Sequence, residues 1–260
     1  MDIIVCIKQV PDTTDIKINN DTNTIIREGV ASIINPFDMY AIEEGLQIRE
    51  KHGGTVTVIS MGPPQVESAL REALALGVDE SILITDRKFA GADTLATSYT
   101  LAAAIDKIGG YDIILFGKQA IDGDTAQVGP GVATHLKIPQ IAFVKKIEEI
   151  ADGKITVQRM MEDGYDVIKT KLPVAITVVK DINEPRLPSL RTKMKAKRAE
   201  IKTFSFEDLH LDEDMIGLDG SPTFVEKIFT PTIEKNNEII IGEPEEMAEK
   251  LVEKLKEIRN

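Results

Sequence analysis

The first half of the chain alternates short apolar runs with longer amphipathic segments, and this alternation constrains the fold more than any other feature. Each run is apolar at nearly every position, as in strands that are buried on both faces. The predicted strands are residues 3–7, 55–60, 81–85 and 112–116. Strands that alternate with helices form βαβ units. The sequence therefore predicts an α/β fold with a mostly parallel sheet and helices on both faces.

Local signals place the helices between these strands. Asn35 as a cap, Pro36 at the first helical position and Asp38 in the first turn predict one helix start. Asp93 followed by Thr94 predicts another. The carboxyl ends of parallel strands share one edge of the sheet, which is where such folds bind ligands. We therefore expect a site among the residues that follow the strands.

After Pro139 the pattern becomes antiparallel. Polar and apolar residues alternate in three segments, and Asp-Gly pairs at 152–153 and 163–164 predict turns. The three segments are residues 142–144, 154–159 and 165–170. A buried strand is predicted again at 173–179. We expect a short antiparallel extension of the sheet.

A glycine-rich segment connects the fourth strand to a helix whose apolar stripe includes Val132 and Leu136. It reads Gly117-Lys118-Gln119-Ala120-Ile121-Asp122-Gly123-Asp124-Thr125-Ala126-Gln127-Val128-Gly129. Free N–H groups at a helix start, together with the helix dipole, favour an anion such as phosphate. The spacing matches neither the Walker A nor the GxGxxG pattern. The segment is a candidate nucleotide site of another kind, and an ordinary turn is the alternative.

Composition excludes several classes of function. The 260 residues include 43 acidic and 31 basic ones, giving a net charge of −12, which disfavours non-specific nucleic-acid binding. The single Cys6 excludes a disulfide framework, and its apolar strand favours a small buried side chain. The three histidines are isolated in sequence and predict no metal site. We see no signal peptide and no membrane-spanning run, and expect a cytoplasmic protein without membrane insertion.

A basic segment interrupts this acidic chain. Between positions 186 and 202 the only acidic residue is Glu200, and Pro185 and Pro188 favour an exposed loop. A solvated linker and a docking surface for an acidic partner are both compatible with it. The amphipathic helix predicted at 243–260 packs either on another chain or on its own domain. We divide the chain into an α/β domain at 1–225, with the basic loop at 184–202, and a C-terminal arm at 226–260.

A series of motifs, in order along nearly the whole chain, resembles the β subunit of electron-transfer flavoproteins. The motifs are Val5-Cys6-Ile7-Lys8-Gln9-Val10-Pro11-Asp12, Asn35-Pro36-Phe37-Asp38, Gly117-Lys118-Gln119-Ala120-Ile121-Asp122, Arg159-Met160-Met161-Glu162-Asp163-Gly164 leading to Leu172-Pro173, and Asn183-Glu184-Pro185-Arg186 before Met194-Lys195-Ala196-Lys197. The resemblance implies an adenine-nucleotide hydrolase-like domain with Rossmann-type layering. It also implies a heterodimer with the family's α subunit.

Two kinds of β subunit exist in this family. In the housekeeping kind, the β subunit holds AMP and only the α subunit holds FAD. In the electron-bifurcating kind, the β subunit holds its own FAD, which NADH reduces as a transient substrate. One electron then goes to ferredoxin or flavodoxin, and the other goes through the α-subunit FAD to an acyl-CoA dehydrogenase or a quinone reductase. Ala126 and Pro130 stand where the housekeeping loop has Asn and Gln, so the chain resembles the bifurcating kind and we expect FAD, with AMP as the alternative.

The resemblance also assigns cofactor-binding residues. Cys6 and Lys8 would lie beside the adenosine, Asn35, Phe37 and Asp38 would line the same cleft, and Met61 and Gly62 would follow the second strand. The segment 117–129 would wrap the ribose and phosphates, with N–H groups of Thr125, Gln127, Val128 and Gly129 on the pyrophosphate. Thr94 and Thr97, after Asp93, would offer hydroxyls near the flavin or NADH. A simple helix cap at Asp93 or Thr94 is the alternative.

The basic segment resembles the family's recognition loop for acyl-CoA dehydrogenases. Leu190 would anchor in a pocket on the partner, and Arg191 and Lys193 give this loop a more basic flank than the housekeeping kind has. An exposed apolar anchor with surrounding charges suits transient docking.

The leading hypothesis gives the chain no catalytic residue, because the flavin supplies the chemistry and the protein positions it. The protein would be an electron carrier within an NADH-dependent flavin oxidoreductase complex, which leaves its status as an enzyme open. A nucleotide-consuming synthetase or pyrophosphatase would need His-x-Gly-His or Ser-Gly-Gly-x-Asp-Ser, and neither occurs. A stand-alone nucleotide sensor is disfavoured by the basic segment and the C-terminal helix, which suggest fixed partners.

Overall fold

The computed structural model describes residues 1–12, 18–19, 24–25, 31–226 and 237–259. These residues fall into two compact units divided after Glu226. None of the helices in the described ranges is both long and apolar enough to cross a membrane.

The strands of the first unit form one large sheet and two small antiparallel pairs. They are β1 Asp2–Cys6, β2 Gln9–Pro11, β3 Ile18–Asn19, β4 Thr24–Ile25, β5 Ser32–Ile34, β6 Thr55–Met61, β7 Glu80–Ile84, β8 Ile113–Gly117, β9 Gln140–Ala151, β10 Lys154–Met160, β11 Tyr165–Lys171, β12 Val174–Val178 and β13 Lys202–Phe204. The large sheet has the order β11-β10-β9-β12-β8-β1-β6-β7-β13. The pairs are β2 with β5 and β3 with β4.

Seven neighbouring strands of the large sheet, from β9 to β13, are parallel. The chain first builds outward from β1 through β6 to β7, and then returns to the other side of β1 to add β8 and β12. The strand order therefore reverses between β1 and β8. In open α/β sheets a crevice forms at such a reversal, outside the carboxyl ends of the strands. The predicted parallel α/β core is confirmed.

Helices cover both faces of this sheet. They are α1 Pro36–His52, α2 Glu67–Leu76, α3 Thr94–Ile108, α4 Val128–Leu136, α5 Leu190–Arg198 and α6 Phe206–Leu209. Because side chains alternate along a strand, Ile3 and Val5 of β1 lie in a core with residues of α1 and α2. Ile4 and Cys6 lie in a second core with residues of α3 and α4.

The antiparallel extension, β9 to β11, is also confirmed, and β9 is longer than predicted. The register between β9 and β12 shifts where Phe143 adopts a left-handed backbone with φ of 60°. The Phe143 N–H donates a hydrogen bond to Thr177 Oγ1 at 3.0 Å. Ile155 and Val157 of β10 lie in the same core as residues of β12 and α1. At the predicted turn, Asp152 and Gly153 both have positive φ, as tight hairpins require.

The prediction that 184–202 is a loop is wrong for residues 190–198, which form α5. Pro185 and Pro188 lie before the helix and do not interrupt it. Ser189 caps the first turn by accepting the Thr192 N–H at 3.1 Å. Lys, Arg, Met and Ala, which fill the helix, all favour helical conformation. An additional strand that the sequence patterns do not predict, β13, begins at Lys202 and adds to β7 at the edge of the sheet.

The second unit contains α7, Pro244–Arg259, close to the predicted helix at 243–260. Leu251, Val252 and Leu255 are exposed within this unit. Lys254 pairs with Glu238 at 3.0 Å. The packing of residues 226–260 on the α subunit, through these apolar side chains, remains a prediction.

Replacing Leu115 tests how much the central strands contribute to the free energy of unfolding. It lies in the middle of β8 and is fully buried. We expect Leu115→Ala to lower the free energy of unfolding by about 2–5 kcal/mol, through lost burial and the cavity left behind. Urea unfolding followed by circular dichroism measures the change. Leu95→Ala, at an exposed helical position, is the control and should cost far less. Equal losses would contradict the assigned core.

Candidate functional site

The region between the carboxyl ends of β1 and β8, called the crevice because open α/β sheets bind ligands there, is organised by one buried carboxylate, that of Asp38. Its Oδ2 accepts the Lys8 N–H at 2.7 Å, just after β1. Its Oδ1 accepts the Gly117 N–H at 3.2 Å, at the end of β8. Gly117 has no room for a Cβ beside this carboxylate, so only glycine permits the approach. Asp38 therefore joins both strand ends to the first turn of α1.

Burial dominates the electrostatics of Asp38. It raises the pKa of the carboxyl from 3.8 to about 7, although the N–H donors and the Lys8 charge oppose the change. A carboxyl with a pKa near neutrality is also a feature common at functional sites.

Asn35 fixes the glycine-rich segment to this carboxylate. Its Nδ2 donates to Asp38 Oδ1 at 3.0 Å and to the Gln119 carbonyl at 2.9 Å. Its Oδ1 accepts the Ile121 N–H at 3.1 Å. Asn35 stands at the predicted cap position of α1, but its side chain makes no capping bond to the helix. The predicted helix start is therefore confirmed, and the Asn35 side chain is bound to the segment that follows β8 and not to the helix.

The segment after β8 folds into a compact loop. Lys8 Nζ pairs with Asp122 Oδ1 at 2.7 Å across the crevice. The Asp124 N–H donates to the Ala120 carbonyl at 2.9 Å, and Gln119 Nε2 donates to the Asp124 carboxylate. Asp124 and Ala126 have left-handed backbones, with φ of 53° and 54°. Such conformations are uncommon for residues other than glycine, and they occur often at functional sites.

The start of α4 offers backbone donors to an anion. Within the described residues, the N–H groups of Thr125, Gln127, Val128 and Gly129 donate no hydrogen bond to the protein. The first helical bond runs from Gly131 to Gln127. Gln127, at the cap position, does not cap the helix with its side chain. Free donors at the positive end of a helix dipole suit a phosphate group.

The start of α3 meets the start of α4. Thr94 Oγ1 donates to Gln127 Oε1 at 2.9 Å, and Thr97 lies half-buried one turn further along α3. Asp93 caps α3 by accepting the Leu95 and Ala96 N–H groups at 2.9 and 3.1 Å. The helix cap predicted at Asp93 is therefore confirmed.

Two lysines place positive charge at the crevice. Besides Lys8, Lys118 has its Nζ 5.9 Å from the ring centroid of Phe37 and 5.7 Å from that of Phe143. Both distances fall within the range of cation–π contacts. An ammonium group held between two rings at this edge is positioned to meet a negatively charged ligand.

The remaining predicted residues lie at the margins of the crevice. Cys6 is buried under the α3–α4 layer, and burial raises the pKa of its thiol, with Asp38 adding to the effect. Met61 ends β6 and Gly62 follows it, where the Gly62 N–H donates to the Ile84 carbonyl at 3.0 Å. The described residues contain no cluster of three or more His, Cys, Asp or Glu side chains suited to a metal ion.

Sequence reasoning missed several residues that support the site. Phe143 contacts Lys118, and Thr177 packs against Gly129, which has no room for a larger residue. Asp93 also accepts the hydroxyl of Thr223 at 2.8 Å and donates its N–H to Ser221 Oγ at 2.8 Å. Phe143 and Thr177 lie on predicted strands whose neighbours were unknown. Ser221 and Thr223 belong to no recognisable sequence motif.

The predicted partner-binding residues belong to α5, which forms a separate surface. Leu190, at the start of α5, is 80% exposed, and Arg191 and Lys193 are exposed beside it. The helix packs on α2 through the buried Ala196.

Comparison with known families and proteins gives a consistent match. Residues 22–209 match the family described as "Electron transfer flavoprotein domain". The chain is 53% identical over 256 residues to the electron transfer flavoprotein subunit beta of Thermoanaerobacterium thermosaccharolyticum, a match that covers 98% of each chain.

Two further relatives have more specific names. The caffeyl-CoA reductase-Etf complex subunit CarD of Acetobacterium woodii is 49% identical over 259 residues, covering 99% of this chain and 98% of that protein. The protein FixA of Azorhizobium caulinodans is 48% identical over 239 residues, covering 89% of this chain and 85% of that protein.

Asp38 gives the protein a pH-dependent stability. Between pH 3.8 and about 7 the folded state holds a proton that the unfolded chain has released, because burial raises the Asp38 pKa. The stability of the wild type relative to Asp38→Asn should therefore fall as the pH rises through this window, by up to about 4 kcal/mol. Urea unfolding of both proteins at several pH values measures the difference. Asp166→Asn, on exposed β11, serves as control. A difference between wild type and Asp38→Asn that stays constant with pH would contradict the assignment.

Proposed function

The chain belongs to the electron transfer flavoprotein family as a β subunit, and we propose that it holds FAD in the crevice between β1 and β8 and takes part in electron bifurcation. With the α subunit of the family, it would accept electrons from NADH. The complex would deliver them to ferredoxin or flavodoxin and, through the FAD of the α subunit, to or from an acyl-CoA dehydrogenase. The bound flavin would supply the redox chemistry, accepting a hydride equivalent and releasing single electrons.

One observation carries the nucleotide-binding part of this proposal. At the point where strand order reverses, a loop that begins with Lys118 ends in a helix start whose N–H groups have no partner among the described residues. Backbone donors and the ammonium group of Lys118 fit the charge of a pyrophosphate. The similarity to proteins named CarD and FixA supports the bifurcating kind.

The residues of this chain would share the work of binding. The N–H groups of Thr125, Gln127, Val128 and Gly129 would hold the pyrophosphate. Cys6, Lys8, Asn35, Phe37 and Asp38, with Met61, Gly62 and the loop 117–124, would surround the adenosine. Asp38 and Asn35 would act by keeping the loop in place, since their hydrogen bonds are already made to the protein.

Thr94 and Thr97 would face the far end of the ligand. The hydrogen bond of Thr94 to Gln127 sets α3 beside the pyrophosphate donors. A ligand longer than AMP would extend along the start of α3, which is where hydroxyls could contact the flavin or NADH. Asp93 would position these threonines as the cap of α3.

A basic helix would dock the acyl-CoA dehydrogenase. Leu190 would enter a pocket on the partner, and Arg191 and Lys193 would attract an acidic rim. Steering by opposite charge raises the association rate and suits a transient electron-transfer contact. The chain would act in the cytoplasm as one half of a heterodimer, with residues 226–260 packed on the α subunit.

The nucleotide content of the heterodimer tests the proposal. We would co-express the chain with its α subunit, denature the purified complex, and quantify released FAD and AMP. Two FAD and no AMP per heterodimer are expected, followed by NADH-driven reduction of ferredoxin. One FAD and one AMP would overturn the bifurcating assignment and leave a housekeeping carrier with AMP in the same crevice.

Lys118 should contribute to retention of the nucleotide. We expect Lys118→Met to weaken nucleotide binding about tenfold, because a charge contact of about 1.4 kcal/mol is lost. Equilibrium dialysis of the heterodimer measures the change. Lys146→Met, at an exposed position of β9, removes the same charge elsewhere and is expected to leave binding unchanged. An equal effect of both variants would point to overall charge and contradict a local contact.

A further inference from the structure

The basic helix α5 is fixed to the body of the domain at its beginning by one arginine. Arg186 lies four residues before α5. Its Nε and Nη2 donate to Glu43 at 2.7 and 3.0 Å, and its Nη1 and Nη2 donate to Glu50 at 2.5 and 3.2 Å. Its backbone N–H also donates to Glu43 at 3.2 Å. One guanidinium therefore spans two glutamates on α1, in the forked geometry that arginine provides and lysine does not.

The contact between Arg186 and Glu43 is not an ordinary surface ion pair. The Glu43 side chain is only 6% exposed, and that of Arg186 is 32% exposed. Burial acts to raise the Glu43 pKa, but hydrogen bonds from Arg186 and Gln47 outweigh it and lower the pKa. Breaking a buried pair by removing one partner leaves an uncompensated charge, which makes such a contact a firm constraint.

Asn183 strengthens the same attachment. Its Nδ2 donates to the Tyr40 carbonyl at 3.0 Å and to Glu44 Oε2 at 2.8 Å, both on α1. The segment between β12 and α5 is thus held along α1 by two side chains.

A second arginine fixes the other end of α5. Arg71, on α2, donates from Nη1 to the carbonyls of Ala196 at 2.7 Å and of Ala199 at 3.1 Å. These carbonyls belong to the last turn and the C-terminal cap of α5, where helices leave acceptors unpaired and where a cation is favoured. Glu67, one turn earlier on α2, pairs with Arg71 and orients it.

Between these two attachments, α5 presents its docking residues to solvent. Leu190, Arg191 and Lys193 are exposed, and only Ala196 of the helix is buried. A nine-residue helix is marginal alone in water. The helical conformation of α5 must therefore be stabilised by its contacts with the rest of the domain. The packing of Ala196 is a small part of these contacts.

We propose that Arg186 and Arg71 act as positioning residues that hold α5 in a pre-ordered state, so that the domain presents a rigid basic helix to a protein partner with an acidic surface around an apolar pocket. The two arginines do not contact that partner. Pre-ordering lowers the entropic cost of docking, because the helix is already formed when the partner arrives. The docking part of this inference rests on the proposed function, whereas the ordering part does not.

Glu50→Gln separates positioning from simple charge. Glu50 is half-exposed, and its neutralisation makes the surface more positive while removing one arm of the contact to Arg186. If charge alone governed docking, this variant would bind an acidic partner more tightly. If positioning governs it, the variant binds more weakly.

The experiment uses the heterodimer with its α subunit and the variants Arg186→Gln, Arg186→Lys, Arg71→Gln and Glu50→Gln. Lys180→Gln, exposed and outside these contacts, is the matched control for loss of a positive charge. Hydrogen exchange of the amides at 193–199 measures the order of α5. The dissociation constant for an acyl-CoA dehydrogenase that the wild type binds measures docking.

We expect the exchange rate of the α5 amides to rise about tenfold in Arg186→Gln and Arg71→Gln, and to rise less in Arg186→Lys. We expect the dissociation constant for the dehydrogenase to rise about tenfold in Arg186→Gln and Arg71→Gln. The nucleotide content should be unchanged in all variants. The control Lys180→Gln should show the exchange and docking of the wild type. Three results would each overturn the proposal. They are unchanged exchange in both arginine variants, unchanged docking despite raised exchange, and tighter docking by Glu50→Gln. If no dehydrogenase binds the wild type, the proposed docking function fails, and exchange alone decides whether the arginines order the helix.

Discussion

The Asp38 carboxylate is the interaction on which the candidate site depends. It joins the end of β1, the end of β8 and the first turn of α1 through the N–H groups of Lys8 and Gly117 and the amide of Asn35. Burying a carboxyl has a cost in free energy, which these donors reduce but do not cancel, as its raised pKa indicates. The same hydrogen bonds fix the geometry of the crevice, because they join its two strand ends to the first turn of α1. Without the carboxylate, two backbone N–H groups at the strand ends would lose their acceptor.

Local positive charge matters in a chain whose net charge is −12. Lysines lie at the crevice, where Lys8 pairs with Asp122 and Lys118 lies between two aromatic rings. A second group of cations lies on α5. The two surfaces are connected through α1, because its first turn carries Asp38 and its later turns carry Glu43 and Glu50, which bind Arg186. One helix thus contributes to the nucleotide crevice and to the surface proposed for docking.

Much of the architecture was predictable, because consecutive apolar runs and helix signals such as Asp93 are local. The parallel sheet, its antiparallel extension and the position of the loop after β8 followed from these patterns. The helix α5 is not predicted, because prolines and charges indicate a loop, although Ser189 caps a segment of good helix formers. The role of Asn35 was missed because its partners, Gln119 and Ile121, are more than 80 residues away in sequence. Likewise, no local pattern indicates that Arg186 meets Glu43 or that Thr223 meets Asp93.

The central claim is that the nucleotide occupies the crevice at the reversal of strand order, held by the start of α4. Hydrogen exchange of the heterodimer with its nucleotide bound and after its removal tests this most directly. The account predicts that bound nucleotide slows exchange at the amides of Thr125, Gln127, Val128 and Gly129, whose N–H groups otherwise lack a partner among the described residues. Protection confined to the opposite edge of the sheet, around Thr55 and Tyr111, with no change at the start of α4, would contradict it.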